Sequence, residues 1–448
     1  MNAHDTAASA APAPADDVKV GFRAYYVLFV LALVYLFSSI DRTLVSVLAE
    51  PIKREFGLSD GQLGLLTGLA FAISYSLAGI PLGLLVDRWR RTRLLAGLIT
   101  IWSALTFFSG LATSAITLAL ARIGVGASEA GASPASMSLI TDYFPAHRRG
   151  FALSLFYMST PISVGITFAL GGWLASHFGW RTAYFMAGGP GLVLALLILL
   201  TIREPARGRL DPGKAEEKRQ RYRFGEAMKT LVRIRPLLLI LLAGVSLVAA
   251  QAGIGAFTSP FLIRTHGMSV QEAGYAIGAI KAPTGIVGIL IGGILADRLA
   301  RRSKTAGLTG VAFAMLLAGP FVAAAMMVES WTLALICIGA FNFLNYLYYG
   351  ATFAAYMSLA PVHMRGALAG VLAVAMTLGG YGLGPPFVGL VSDLFAGLGV
   401  AEPLRWALLL SGSFFAIAGI LFLFATRAIR RMDDDAAVAP LGSVPAAT

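Results

Sequence analysis

The stretch Gly83-Leu-Leu-Val-Asp87-Arg88 recurs as Gly293-Ile-Leu-Ala-Asp297-Arg298, 210 positions further along the chain. Each copy lies between an apolar run and a basic run. A second pair of matching stretches, Pro145-Ala-His-Arg-Arg149-Gly150 and Pro361-Val-His-Met-Arg365-Gly366, lies 216 positions apart. Two matches at nearly the same offset indicate that the chain consists of two related halves.

The chain around these stretches is strongly apolar. Hydrophobic residues make up 57% of the 448 residues and charged residues only 13%, which is too little charge to cover the surface of a soluble protein of this size. Runs of about 20 apolar residues can cross a bilayer as helices, and the sequence predicts twelve. They lie at 24–49, 60–86, 93–113, 115–143, 150–177, 181–202, 236–263, 270–296, 305–328, 331–360, 366–394 and 404–427. The predicted fold is an all-α integral membrane protein with twelve transmembrane helices in two pseudo-symmetric six-helix halves.

One polar segment separates the halves. It runs from Arg203 to Arg235 and carries eleven basic and five acidic residues. We therefore predict five regions along the chain. They are a disordered cytoplasmic tail (1–22), an N-terminal six-helix half (23–203), a charged cytoplasmic linker (204–235), a C-terminal six-helix half (236–430) and a cytoplasmic tail (431–448).

The net charge of +12 is concentrated in alternate loops, whereas the first of the other loops is net negative. This is the positive-inside pattern of membrane proteins. It predicts that both termini are cytoplasmic in a multi-pass protein of the cell's inner (plasma) membrane, and it argues against nucleic acid as a partner. The single cysteine, Cys337, lies in an apolar run and allows no intrachain disulfide and no cysteine-based metal cluster. No metal and no cofactor is expected.

Four ionisable residues lie inside apolar runs of the first half: Asp41, Arg42, Arg122 and Glu129. A charge at the bilayer centre costs at least about 2.5–3.5 kcal/mol, so such a residue indicates a functional site. Arg122 and Glu129 are seven apart, which places them on nearly one helix face. Cross-helix pairs Arg42–Glu129 and Asp41–Arg122 are expected.

Such pairs allow proton coupling through Asp41 and Glu129. A carboxylate that loses its Arg partner in a desolvated site favours its protonated form and releases the proton when the Arg returns. The freed Arg42 or Arg122 can bind a phosphate or carboxylate of a substrate bidentately. The alternative is a permanent set of ion pairs that only fixes helix packing.

The second half carries one mid-span charge, Lys281, which can attract an anionic head group or extend to the membrane interface. Span ten is rich in amide and phenol side chains, which suit either an amphipathic ligand or ordinary helix packing. The predicted substrate-binding residues are Arg42, Arg122, Lys281, Tyr157, Thr160, Asn342, Asn345, Tyr346, Tyr349 and Tyr381.

The repeated loop motifs predict two cytoplasmic latches. A carboxylate stabilises a helix N-terminus by about 0.3–1 kcal/mol, so Asp87 can meet the helix after Arg365, and Asp297 the helix after Arg149. The alternative is that these charges only set the topology. The predicted cytoplasmic gate consists of Gly83, Asp87, Arg88, Gly293, Asp297, Arg298, Arg149 and Arg365.

The motif G-x-x-x-D-R between spans two and three, echoed between spans eight and nine, resembles the major facilitator superfamily over nearly all of 24–430. A narrower resemblance to the Spinster branch rests on Asp41-Arg42, on Arg122-Ile-Gly-Val-Gly-Ala-Ser-Glu129, and on Arg149-Gly150, Phe156-Tyr157 and Pro161. That branch is associated with the export of lysophospholipids and sphingosine-1-phosphate. The resemblance implies an amphipathic, lipid-like substrate that takes a lateral or central route through the bundle.

The function expected from the residues is secondary transport by alternating access between the halves, with a small amphipathic or anionic substrate, protons and membrane lipids as partners and a monomeric state. A membrane enzyme is disfavoured, because the sequence has no Gly-x-Ser-x-Gly, no His-Glu-x-x-His and no metal-spaced His/Cys cluster; a Walker A sequence is also missing. A ligand sensor is disfavoured by the short tails. The second transport hypothesis is a proton-coupled exporter of drugs or small organic anions.

Overall fold

The computed structural model describes residues 20–208, 210, 224–303, 305–361 and 364–438, and these are helical almost throughout. The first half contains ten α-helices: α1 (Phe22–Val47), α2 (Ala49–Phe56), α3 (Asp60–Gly64), α4 (Ala70–Arg88), α5 (Arg91–Ser109), α6 (Ala115–Glu129), α7 (Ala132–Tyr143), α8 (Ala146–Tyr157), α9 (Ser159–Phe178) and α10 (Trp180–Thr201). A π-helical segment, π1 (Leu65–Leu69), joins α3 to α4.

The linker and second half contain nine described α-helices: α11 (Phe224–Arg233), α12 (Arg235–His266), α13 (Val270–Ala300), α14 (Ala306–Met327), α15 (Trp331–Tyr346), α16 (Tyr348–Leu359), α17 (Arg365–Ala375), α18 (Gly384–Gly397) and α19 (Pro403–Val438). A second π-helical segment, π2 (Met376–Tyr381), lies between α17 and α18. Most of the predicted N-terminal tail and much of the linker lie outside the described residues.

Eleven helical stretches of the described chain are long and apolar enough to cross a membrane. The remaining predicted span, 115–143, is divided after Glu129 into α6 and α7, which are too short individually. Together these elements give the twelve transmembrane segments in two six-helix halves.

Several spans that we predicted as single runs are interrupted. In the fifth span the break at Met158 comes just before Pro161, which has no N–H to continue the helical hydrogen bonding. At the other end of the chain, α19 continues to Val438, eight residues into the segment predicted as a tail.

The two ends of the bundle differ in charge and in helix starts. Spans two, four and eight begin at one end with capping boxes at Ser59, Ser114 and Ser269, each of which accepts a hydrogen bond from the backbone N–H three residues later. We call this the far end. The other end, where α1 begins and the Arg-rich loops lie, is the basic end.

The beginning of the linker is fixed to the first half at the basic end. Arg91 is buried and donates to Glu204 Oε1 at 2.8 Å and to the Pro205 carbonyl at 2.9 Å, and it also pairs with Asp142. Burial alone would raise the pKa of Glu204, but hydrogen bonds from the Thr92 backbone N–H and from Arg91 hold that pKa below its ordinary value.

The two halves touch at the far end and separate toward the basic end. Span two meets span eleven where a Cβ on Gly64 would lie 2.4 Å from the Pro385 carbonyl oxygen, and span five meets span eight where a Cβ on Gly274 would lie 2.4 Å from the Phe168 carbonyl oxygen. Nearer the basic end, a Cβ on Gly83 would have no described atom within 4 Å.

Candidate functional site

A cavity of about 170 Å³ lies between the two halves and is lined by both of them. The lining residues from the first half are Tyr35, Ser39, Arg42, Thr43, Ser46, Thr67, Phe71, Arg122, Thr160, Ser163, Val164 and Phe168. Those from the second half are Gln251, Ala252, Gly255, Ala256, Lys281, Asn342, Tyr346, Tyr349, Tyr381 and Pro385.

Most of the residues predicted to bind substrate line this cavity, although they come from seven different helical elements. The lining includes Arg42, Arg122, Thr160, Lys281, Asn342, Tyr346, Tyr349 and Tyr381, and it does not include Tyr157 or Asn345. The predicted proton-coupling residues, Asp41 and Glu129, lie behind the lining and are buried.

Arg42 and Glu129 form an ion pair between α1 and α6. Arg42 Nε donates to Glu129 Oε2 at 2.8 Å. The Glu129 side chain is fully buried, whereas that of Arg42 is 23% exposed and lines the cavity. Glu129 is also the last residue of α6, at the break in the fourth span. The pair therefore links a buried carboxylate to the cavity through a single guanidinium.

Arg122 meets Asp41 differently from our prediction. Its Nη1 donates to the backbone carbonyl oxygen of Asp41 at 2.8 Å, and no ion pair forms between the two described side chains. Asp41 Oδ1 and Arg122 Nε are both buried without a hydrogen-bond partner. Because the carbonyl takes the place of the carboxylate, the expected Asp41–Arg122 pair is wrong for this conformation, and the Asp41 side chain is left incompletely hydrogen-bonded.

One aromatic cluster, which we did not predict, lies beside both guanidinium groups. The Phe71 ring centroid lies 5.5 Å from the Cζ atoms of both Arg42 and Arg122. Tyr75 stacks on Phe71 and lies 5.3 Å from Arg42. Cation–π contacts of this kind stabilise a charge that is partly removed from water.

Lys281 brings a positive charge to the second-half wall of the cavity. It is 7% exposed, and its Nζ lies 5.6 Å from the Phe168 ring centroid. The described residues offer it no acidic partner. Its backbone carbonyl accepts from Asn342 Nδ2 at 3.0 Å, and the same nitrogen donates to Thr284 Oγ1 at 2.9 Å. A buried ammonium beside a polar cavity is suited to an anionic ligand.

The other predicted ligand residues occupy different positions. Tyr346 and Tyr349 stack with their ring centroids 5.8 Å apart. Tyr157 lies behind the cavity wall, where its ring packs on Tyr35 and its hydroxyl donates to Met137 Sδ at 3.8 Å. Asn345 is buried and does not line the cavity in this conformation.

The predicted gate residues lie at the basic end, where the halves are apart. Asp87, Arg88, Asp297 and Arg298 are exposed at the ends of α4 and α13. Like Gly83, Gly293 has no described atom within 4 Å of a Cβ position, so both glycines are open in this conformation. The proposed contacts of Asp87 and Asp297 with the opposite half stay a prediction for a conformation closed at this end.

The remaining gate residues contact their own halves in a symmetric way. Arg149 Nε donates to the Phe144 carbonyl at 3.0 Å, and Arg365 Nε donates to the Ala360 carbonyl at 3.4 Å. Each Arg thus caps the end of the preceding helix from five residues away. The two copies of the sequence repeat therefore make the same type of contact in their respective halves.

A polar network that the sequence analysis missed joins the halves at the far end. Arg264 of α12 donates from Nη1 to Asp60 Oδ2 at 2.9 Å and from Nε to Glu50 Oε2 at 2.8 Å. Ser392 of α18 donates to Asp60 Oδ2 at 2.7 Å, and Lys53 also pairs with Asp60. We call these five residues the far-end network.

A second contact at the far end has the chemistry that we predicted for the basic end. Both carboxylate oxygens of Asp393 in α18 accept hydrogen bonds from the first turn of α3, from the backbone N–H groups of Asp60 (2.9 Å) and Gly61 (2.8 Å). A carboxylate of one half therefore caps a helix of the other half. In this conformation the contact of a carboxylate with a helix N-terminus of the other half occurs at the end of the bundle opposite to the predicted gate.

Some of the missed residues left a signal in the sequence. Ser39, Thr43 and Ser46 of α1 line the cavity and are spaced four and three residues apart, which forms a polar stripe on one helix face. Gln251 is the one amide in a span whose other polar side chains are hydroxyls. The far-end network left none, because its charged members lie at or beyond the ends of the apolar runs, where charges are common.

Comparison with known proteins identifies the family. The sequence model of the Major Facilitator Superfamily matches residues 31–382. The chain belongs to the major facilitator superfamily. A solved structure described as a bacterial homolog of the human lysosomal transporter Spinster, inward-facing and unoccupied, superposes with a TM-score of 0.81 at 31% identity and covers 92% of this chain and 99% of its own.

Relatives of this major facilitator protein carry several transport functions. An MFS-type efflux pump of Mycolicibacterium smegmatis is 32% identical over 91% of this chain and 94% of its own length. A probable galactarate/D-glucarate transporter of Bacillus subtilis is 26% identical over 69% of this chain and 72% of its own length. The sphingosine-1-phosphate transporter of Danio rerio is 28% identical over 86% of this chain and 81% of its own length. The chain is thus a Spinster-like membrane transporter and not an enzyme.

Proposed function

We propose that this transporter moves an amphipathic, anionic, lysophospholipid-like substrate by alternating access between its halves. The observation that carries the proposal is the cavity itself. Arg42 and Arg122 enter it from the first half and Lys281 from the second, so an anionic head group bound there would attract both halves. Phenol rings and the Asn342 amide complete the lining, which suits a ligand with both polar and apolar parts.

The direction in which the cavity opens supports an alternating-access cycle. We take the basic end as cytoplasmic, following the positive-inside rule, with both termini on that side of the plasma membrane. The present conformation is then open to the cytoplasm and closed outside by the far-end network. In the opposite conformation Asp87 and Asp297 would form the cytoplasmic latches. A monomer is sufficient for this cycle, because one chain supplies both halves.

Proton coupling is proposed at Glu129 and Asp41. Arg42 is shared between a buried carboxylate and the cavity, so protonation of Glu129 would free Arg42 to bind an anionic substrate. Asp41 already lacks a hydrogen-bond partner for Oδ1 and is the second candidate for a proton. Glu129 would then release its proton to water. Arg42 would pair with the ionised carboxylate again and release the anion.

The alternative substrate class is a drug or a small organic anion. It is favoured by the efflux pump and the sugar-acid transporter among the relatives. The same cations would serve such a substrate, but the cavity would have to close around a small hydrophilic molecule instead of leaving room for an acyl chain.

The deciding experiment measures uptake of labelled lysophosphatidylethanolamine into proteoliposomes, with and without an imposed pH gradient. We expect uptake by the wild type above that of empty liposomes, and we expect this uptake to respond to the gradient. The response should be lost in Glu129→Gln and reduced in Asp41→Asn. Both variants should retain the wild-type melting temperature. Uptake that is the same with and without the pH gradient would refute the proton coupling. If labelled lipid does not enter but galactarate does, the small-anion alternative is correct.

A further inference from the structure

A hydroxyl group stands between the two members of the buried ion pair. Ser38 Oγ donates to Glu129 Oε2 at 3.0 Å and accepts from Arg42 Nη2 at 2.8 Å. Arg42 Nε donates to the same Glu129 oxygen at 2.8 Å. The three side chains therefore form a closed ring of hydrogen bonds, and Ser38 is buried within it.

The bonding of Ser38 is unlike that of the neighbouring hydroxyl groups in this half. Thr43 donates to the Ser39 carbonyl at 2.8 Å, Ser128 to the Gly124 carbonyl at 2.8 Å, and Ser74 to the Ala70 carbonyl at 3.1 Å. Each of these bonds runs one turn back along its own helix, as is usual for Ser and Thr inside helices. Ser38 instead directs its hydroxyl across the interface to α6.

The backbone gives Ser38 and Glu129 different freedom. Ser38 lies one turn before Arg42 in α1, which is continuous from Phe22 to Val47. The backbone positions of these two residues are therefore fixed relative to each other. Glu129 ends α6 at the break in the fourth span, and its other oxygen, Oε1, has no hydrogen-bond partner. Protonation of Glu129 therefore acts on two side chains that are carried by one continuous helix.

We propose that Ser38 is a positioning residue that determines when Arg42 leaves Glu129 for the cavity, a role that rests on the proton coupling proposed above. When Glu129 is ionised, the Ser38 hydroxyl donates to it and holds Arg42 in place. When Glu129 takes up a proton, its new O–H becomes a donor, and the Ser38 oxygen accepts it after its own hydrogen rotates away. Arg42 then loses the negative charge of its partner and its charge-assisted bond to Oε2, and it turns to an anion in the cavity.

The pH dependence of this step involves few other groups. Glu129 is influenced by Arg42 and Asp41 from α1, by Tyr75 from α4, and by Arg122 from its own helix. None of these donates a hydrogen bond to Glu129 except Arg42. Ser38 is therefore the one neutral donor among the described residues whose removal alters Glu129 while leaving the surrounding charges unchanged.

The test is an infrared titration of the protonated carboxyl band of the full chain in liposomes, with Glu129→Gln used to assign the band. Ser38→Ala removes one hydrogen bond to a charged group, worth about one pH unit, so we expect the band to appear about one pH unit higher. Ser38→Thr retains the hydroxyl and should titrate as the wild type. Ser128→Ala, which removes the adjacent hydroxyl, is the matched control.

The outcomes separate this role from the coupling on which it rests. If the wild type shows no band that Glu129→Gln removes, proton coupling at Glu129 is wrong, and the role of Ser38 fails with it. If the wild type titrates but Ser38→Ala shifts no more than Ser128→Ala, the coupling stands and the role of Ser38 is refuted. An equal shift in Ser38→Ala and Ser38→Thr would also refute it, because the hydroxyl would not be the cause.

Discussion

Replacing Arg264 with alanine should open the far end of the transporter. Arg264 is the one described cation of the second half in the far-end network, and it bridges Glu50 (Nη2–Oε2, 2.7 Å) and Asp60 (Nη1–Oδ2, 2.9 Å) of the first half. Both carboxylates are buried, with side-chain exposures of 7% and 6%. Without Arg264 they would keep Lys53, Arg54 and Ser392 as their side-chain partners among the described residues.

The size of the effect follows from this burial. Removing one partner of a buried ion pair costs about 3–5 kcal/mol. Arg264 is itself 25% exposed, and Asp60 keeps Lys53 and Ser392, so solvent screening and the remaining partners reduce the expected cost to about 2 kcal/mol. The penalty applies only while the far end is closed, since water solvates the carboxylates when the halves separate there. Because 1.4 kcal/mol corresponds to a tenfold change in an equilibrium constant, the ratio of far-end-open to far-end-closed molecules should rise about 30-fold.

Spin-label distances between the halves measure this ratio directly. After replacement of the single cysteine, Cys337, label pairs can be placed at Leu111 and Leu398 of the far end and at Arg90 and Arg301 of the basic end, all of which are exposed. In Arg264→Ala the long far-end distance and the short basic-end distance should gain population together.

A matched variant tests whether the effect depends on joining the halves. Arg405 pairs with Glu402 at 2.7 Å at the same end, but both belong to the second half. Arg405→Ala should leave both distance distributions unchanged, and Arg264→Lys should give an intermediate shift because it keeps the charge without the fork geometry. The reasoning is refuted if Arg264→Ala leaves the distributions unchanged, or if Arg405→Ala changes them equally.

Three further changes have definite expected results. Gly64→Ala places a Cβ 2.4 Å from the Pro385 carbonyl oxygen and should raise the far-end-open population in the same distance measurement; wild-type distances would mean that the helices yield locally. Lys281→Met should weaken binding of a labelled lysophosphatidate about tenfold, whereas equal affinity would exclude head-group contact. Glu204→Gln leaves buried Arg91 with one carboxylate fewer and should lower stability at pH 7 by about 1 kcal/mol. Because the pKa of Glu204 is lowered on folding, this difference should be complete above its ordinary pKa of about 4.3 and vanish as the pH falls through the folded value; a difference that persists in thermal melts at low pH would contradict the ion pair.

The sequence predicted the number of the transmembrane segments and their division into two six-helix halves correctly. A span must supply about 20 apolar residues because the hydrocarbon core has a fixed thickness, and this requirement is visible without a structure. Helix breaks are less visible. The division after Glu129 comes at Ala130-Gly131, in a segment whose composition differs little from that of unbroken spans.

The candidate site shows where sequence reasoning ends. Asp41 and Arg42 are recognisable because charge is costly in an apolar span. The directions of these two side chains are not recognisable from the sequence. Neighbouring helical residues point about 100° apart, and only helix packing decides which of the two side chains faces α6. Arg122 consequently meets the backbone carbonyl of Asp41 rather than its carboxylate.

The amino-acid sequence alone determined that this chain crosses the membrane as two related six-helix halves with charges buried between its helices, because bilayer thickness, charge cost and internal repetition act on local composition. Only the tertiary structure decided which end is closed. The far-end network joins Arg264 to Asp60 across 204 positions, and the second far-end contact joins Asp393 to the N–H of Asp60 across 333. Such contacts depend on the relative orientation of the two halves, and no local pattern in either half encodes that orientation.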